Sequence, residues 1–131
     1  MQVELNDLEA TGVADQANVL FNEIVNDQDP TMVYNAATGE FTITRTGNYL
    51  VSWQVVVDGT DVDPLVIFTL RVNGLDYTSS TLPGITGQLS GSAFVTVLAA
   101  ATFDLVNTSG YTVFYADVPV QANIVITDVS I

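Results

Sequence analysis

Cysteine, histidine and lysine are all missing from this chain, and arginine occurs only as Arg45 and Arg71. Without cysteine there is no disulfide framework and no thiol nucleophile, and the redox compartment stays open. Without histidine or lysine, general-base and nucleophile duties fall to carboxylates, Ser, Thr or Tyr. The formal net charge is −13, so no basic patch exists to displace counterions from nucleic acid. Anionic membrane surfaces repel such a domain as well. No apolar run approaches the roughly 18 residues that span a bilayer, and the acidic opening MQVELND is unlike a signal peptide. Helical periodicity is almost absent.

What is present is apolar and strand-like. Hydrophobic residues make up 48% of the 131 positions and charged ones only 13%, about half the usual charged share. A single domain of this size can hide roughly two thirds of its unfolded surface. Either a thick sandwich core with Thr-rich outer faces absorbs the apolar excess, or self-association covers it. We expect the second, because large exposed apolar patches mark interfaces. The carboxylates keep the remaining surface soluble.

Residues Met1 to Gln16 are acidic and irregular and read as an N-terminal arm or neck; Ala17 to Ile131 read as one globular head. Within the head, strand-like runs alternate with turn signals. Val19 to Val25 precedes a break at Asn26-Asp27-Gln28-Asp29-Pro30. Met32 to Tyr34, Glu40 to Thr44 and Asn48 to Val57 follow, then the loop Asp58 to Pro64. Leu65 to Val72 and Leu75 to Ser80 flank Asn73-Gly74, a strong type I′ hairpin signal. Gln88 to Ala99, Thr102 to Val106, Tyr111 to Tyr115 and Ala122 to Ile131 complete the chain. The pattern predicts an all-β, two-sheet antiparallel jelly-roll sandwich of about ten strands.

The spacing Tyr34-x4-Gly39-x-Phe41-x5-Gly47-x-Tyr49 resembles the core signature of the complement one-q globular head, a superfamily shared with tumour-necrosis-factor ligands. Val19-Leu20-Phe21-Asn22 is similar to the first strand of that head, Leu70-Arg71-Val72-Asn73-Gly74 to its mid-domain hairpin, Gly91-Ser92-Ala93 to its Gly-Ser-Ala run, and Ala122 to Ile126 to its last strand. Thr-rich strands and an acidic, Ala/Val-rich ending resemble bacterial members, in style the C-terminal domain of collagen-like exosporium glycoproteins on spores. The resemblance implies a self-associating homotrimer at the tip of a stalk, displayed outside the cell or on a spore surface; the residues themselves, without His, Cys or Lys and with no acid inside an apolar stretch, point away from an enzyme. A receptor- or glycan-binding head, as on an adhesin or phage fibre, is the alternative; its protein or glycan ligand is not specified.

On the Asn48–Val57 run, Tyr49, Val51, Trp53 and Val55 share one face and should fill the core. Leu50, Ser52, Gln54 and Val56 share the other, without a charge. In tumour-necrosis-factor-like heads the corresponding face lines the three-fold axis, so these four residues are expected at the trimer contact, joined by Phe103, Leu105, Ile124 and Ile126. Asp58, Asp61 and Asp63 cluster in one loop and suit a hard cation such as calcium; Asp27 and Asp29 form a lesser cluster. No other cofactor is expected. Among the acids, Asp104 comes nearest to an apolar setting, between Phe103 and Leu105, and alternation places it on the outside. Asn107-Thr108-Ser109 matches a glycosylation triplet on an expected turn, but such triplets occur by chance and no function is assigned to it.

Overall fold

A computed structural model describes residues 1–60, 65–84 and 86–130. In chain order the strands are β1 (Gln2–Leu5), β2 (Gly12–Val13), β3 (Glu23–Asn26), β4 (Met32–Asn35), β5 (Glu40–Ile43), β6 (Gly47–Thr60), β7 (Leu65–Val72), β8 (Leu75–Pro83), β9 (Thr86–Val97), β10 (Ala101–Asn107), β11 (Val113–Tyr115) and β12 (Ala122–Asp128). No helix occurs among the described residues, and so none is long and apolar enough to cross a membrane. All strand pairs are antiparallel. One sheet runs β2-β11-β6-β12-β1-β3, with β9 along the other edge of β6; the second runs β4-β5-β10-β7-β8. The expected two-sheet jelly roll is what forms.

The long strand β6 organizes the first sheet. Alternation sends Tyr49, Val51, Trp53, Val55 and Val57 inward, each at most 1% exposed. They meet Phe41, Ile43, Phe68, Leu70, Phe103 and Leu105 from the opposite sheet, all equally buried. Burying one such side chain fully contributes roughly 1.5–3 kcal/mol. Trp53 also reaches across the sandwich: its indole Nε1 donates to Ser80 Oγ on β8 at 2.9 Å. Its ring lies over Gly91 on β9, the residue directly opposite in the ladder.

The signature aromatics form one cluster. Tyr34 and Phe41 are 4.5 Å apart between centroids, and each lies 6.2 Å from Phe21. The Tyr34 hydroxyl donates to the Phe21 carbonyl at 2.9 Å; burial pushes its pKa up to about 12. Gly39 turns with φ 76° and leaves room for the Val19 carbonyl, which an added Cβ would meet at 2.7 Å. At the β7–β8 hairpin Asn73 and Gly74 have φ 53° and 78°, as a type I′ turn requires.

Two expectations need correction. The first 16 residues are not a separate arm: β1 lies inside the sheet between β12 and β3, and Val3 and Leu5 are buried. Gln121 clamps this segment, donating from Nε2 to the Asp7 carbonyl at 2.6 Å and from its backbone N–H to Leu5 at 2.8 Å. Two apolar residues at alternate positions suffice for a strand when both neighbours are already in place. Second, Val19–Val25 is not one strand. Val19 bonds the end of β10 (N to Leu105 O, 2.8 Å), whereas Asn22 bonds β1 (N to Glu4 O, 3.1 Å), so the stretch crosses between sheets. Asn107 is fully buried and its amide is committed to backbone carbonyls, so the folded domain cannot present the Asn107-Thr108-Ser109 triplet, in keeping with the absence of any function assigned to it.

Candidate functional site

The outward face of the seven-stranded sheet is the candidate site. β6, β9 and β12 build it in cross-strand rows. Leu50 stands between Phe94 and Thr127, Ser52 between Ser92 and Val125, Gln54 between Ser90 and Asn123, and Val56 beside Gln88. No charged residue occurs in these rows. Carboxylates stand at its margins: Asp58, exposed, is the next outward residue of β6 beyond Val56, and Glu4 on β1 is paired with Asn123. Leu50 is 43% exposed and Phe94 56%, which leaves two large apolar side chains facing water in adjacent strands. Beside them Tyr77 of β8, half-exposed, donates its hydroxyl to the Phe94 carbonyl at 2.6 Å. The middle of the face is a shallow polar depression of about 510 Å³, bounded by Gln2, Ser52, Gln54, Ser90, Ser92, Asn123 and Val125.

Leu50, Ser52, Gln54 and Val56 therefore lie together on one face. Phe103, Leu105, Ile124 and Ile126 do not join them: all four point into the core and are at most 1% exposed. Ile124 and Ile126 pair with Trp53 and Val51, the inward set, so the outward residues of β12 are Asn123, Val125 and Thr127. β10 belongs to the opposite sheet. Any contact surface must exclude these four. Sequence reasoning missed Ser90, Ser92 and Phe94, although period-2 alternation through Thr86–Val97 carries their facing.

Asp58 is exposed and accepts from Thr86 Oγ1 at 3.3 Å; Asp61 and Asp63 lie outside the described residues. Among the described residues no three His, Cys, Asp or Glu come together as a metal site. Asp29 is instead engaged by Arg45, which spans it at 2.9 Å and Asp128 at 2.6 Å. Hydrogen bonds from Thr31 first, then the Arg45 charge, hold the Asp29 carboxyl below its usual range.

Asp104 does sit on the outer side of β10, but under the 16–18 stretch rather than in open solvent. Its Oδ2 accepts from Asn18 Nδ2 at 3.3 Å, and its Oδ1 is buried with no partner among the described residues. Burial pushes the carboxyl above its ordinary 3.8, against the Asn18 hydrogen bond and the Arg71 charge. A carboxylate raised on folding stabilizes the fold below 3.8 and loses that contribution as pH climbs through the folded value. At neutral pH the ionized group is a cost. Asp104→Asn is thus expected to stabilize the protein at pH 7 by about 1 kcal/mol, the scale of one unpaired buried acceptor reduced by solvent screening. The gain in melting temperature should disappear as pH approaches the ordinary carboxylate range; an Asn variant no more stable at pH 7 refutes the assignment.

No family model matches the chain, and no curated protein matches it. Solved structures do. The globular domain of zebrafish complement 1qA protein superposes with a TM-score of 0.74 over 98% of this chain and 94% of that one, at 16% identity. The chain has the jelly-roll fold of complement one-q heads and tumour-necrosis-factor ligands. Eiger TNF from S. frugiperda matches with a TM-score of 0.72, 14% identity and coverage of 99% and 92%; murine APRIL with 0.63, 11%, 95% and 98%.

Proposed function

We propose that this domain is a self-associating, non-enzymatic head that holds three copies together at the tip of a surface-displayed, collagen-like filament of a cell or spore. One observation carries the reading: the uncharged rows from Leu50 to Val56 on the outward face of β6, β9 and β12, with Leu50 and Phe94 exposed in adjacent strands. Interface centres shed charge and gather aromatic residues, and uncovered apolar patches of this kind mark contacts. Ser52, Gln54, Ser90 and Asn123 supply neutral hydrogen-bonding groups that a neighbouring copy satisfies. Three heads in contact give three stalk chains a high local concentration, and Gly-x-y repeats in the full coding sequence are the matching genetic feature.

The native mass tests this. At micromolar concentration the protein should sediment at three times its 14.0 kDa chain mass. Gln54→Glu places a carboxylate in the middle of the face, where an unpaired buried charge costs several kcal/mol, about 3–5, and should release single chains. The exposed Gln54 side chain makes the substitution neutral for the sandwich itself. With −13 on each copy, association should strengthen as salt rises, because screening shortens from about 30 Å to about 8 Å between 0.01 and 0.15 M. A wild-type protein that remains a single chain under these conditions overturns the reading.

A further inference from the structure

One end of the sandwich is not filled. Between the end of β1, the stretch carrying β2, the 17–20 crossing and Tyr115 of β11, a cleft of about 200 Å³ remains. Leu5 and Val13, both buried, form its floor; the short side chains of Ala14 and Ala17 leave the space; Leu20, half-exposed, stands at the rim. The walls are held firmly, with Gln16 N–H on the Asn107 carbonyl at 2.7 Å and Tyr115 N–H on Thr11 at 3.0 Å.

Polar groups in this lining are few. The Asn18 amide already donates to the Thr38 carbonyl at 2.9 Å and to Asp104 at 3.3 Å. The Tyr115 hydroxyl has no hydrogen-bond partner among the described residues. Burial raises its pKa, so it remains an O–H donor at every working pH. Ordered water needs two to four polar partners, and this lining offers few. A cavity of about 150 Å³ holds benzene, so one ring fits here. Glu9 and Asp15 directly adjoin the lining residues Ala10 and Ala14 in the chain, and the net charge is −13, which disfavours an anion.

We propose that this cleft binds a compact, uncharged molecule with one apolar ring and one hydrogen-bond acceptor, to which the Tyr115 hydroxyl donates. The reading is independent of self-association through the outward face of β6, β9 and β12.

Nuclear magnetic resonance titration of the intact chain with p-cresol and with toluene tests it. Both probes should give saturable shifts at the Ala14, Ala17, Leu20 and Tyr115 amides, with p-cresol bound roughly two- to tenfold tighter, the worth of one hydrogen bond. Tyr115→Phe should abolish that preference while leaving toluene binding unchanged. Ala14→Leu fills the space from an exposed position and should abolish binding of both; Ala10→Leu, from the opposite wall, serves if that variant does not fold. Absence of saturable shifts overturns the proposal. So does undiminished binding in a folded, filled variant, or a preference for p-cresol that survives in Tyr115→Phe.

Discussion

Gly91→Ala is expected to cost about 3 kcal/mol and to lower the melting temperature by roughly 10 °C, although a single methyl group is added. An ideal Cβ at Gly91 would lie 2.3–2.7 Å from three atoms of the Trp53 indole. The ring has nowhere to go. It is 1% exposed, and its nitrogen is tied to Ser80 Oγ at 2.9 Å across the sandwich. Either the strands part, at the ordinary overpacking cost of about 1–3 kcal/mol, or the indole swings away and leaves a buried donor unpaired at a similar cost. The diagnostic result is a double-mutant cycle read by thermal and urea unfolding. Trp53→Phe alone should destabilize through lost volume and the lost hydrogen bond. In the Gly91→Ala background the smaller ring makes room, so the pair should cost clearly less than the two changes added. Strict additivity would falsify the wedge between these two residues.

That same pair shows how far the residues alone lead. Alternation along Asn48–Val57 is enough to send Trp53 inward and Gln54 outward, because a strand with one buried face has a strongly specified register. The hairpin at Asn73-Gly74 is equally local: two positive φ angles select the two residues. What alternation cannot supply is which strands are neighbours. Ile124 and Ile126 look like an interface when β12 is viewed alone; pairing with Trp53 and Val51 turns them into core. Phe94 becomes part of the face only once β9 is laid beside β6 over twelve residue pairs. The N-terminal residues were opaque for a related reason. Val3 and Leu5 make a short, weak pattern, and their strand exists because β12 and β3 offer edges on both sides. Asp104 was located correctly on the outer side of its strand, yet its burial depends on Asn18, 86 residues earlier. Long-range closure, not local preference, decides each of these.

Asn107 is the second position where a small change should have a large effect. The residue is fully buried at the end of β10, and its side chain makes three hydrogen bonds. Its amide nitrogen donates to the Val13 carbonyl at 3.0 Å and the Tyr111 carbonyl at 2.7 Å, while its Oδ1 accepts from Ser109 N–H at 2.9 Å. It thereby joins β2, the turn after β10 and the start of the 111–115 stretch. Asn107→Leu removes those three buried hydrogen bonds, and at about 1–3 kcal/mol each with incomplete additivity the expected loss is about 4 kcal/mol. Asn107→Asp separates hydrogen bonding from shape. An ionized carboxylate keeps the Ser109 contact but turns acceptor against acceptor toward Val13 and Tyr111, which favours its protonated form in the fold. A carboxyl raised on folding is least harmful at low pH and most harmful once ionized. Relative to wild type, Asn107→Asp should therefore be at its worst near pH 7 and recover as pH falls toward the usual carboxylate range, whereas the Asn107→Leu deficit stays constant. Parallel pH profiles of melting temperature for the two variants would show that the amide merely fills space.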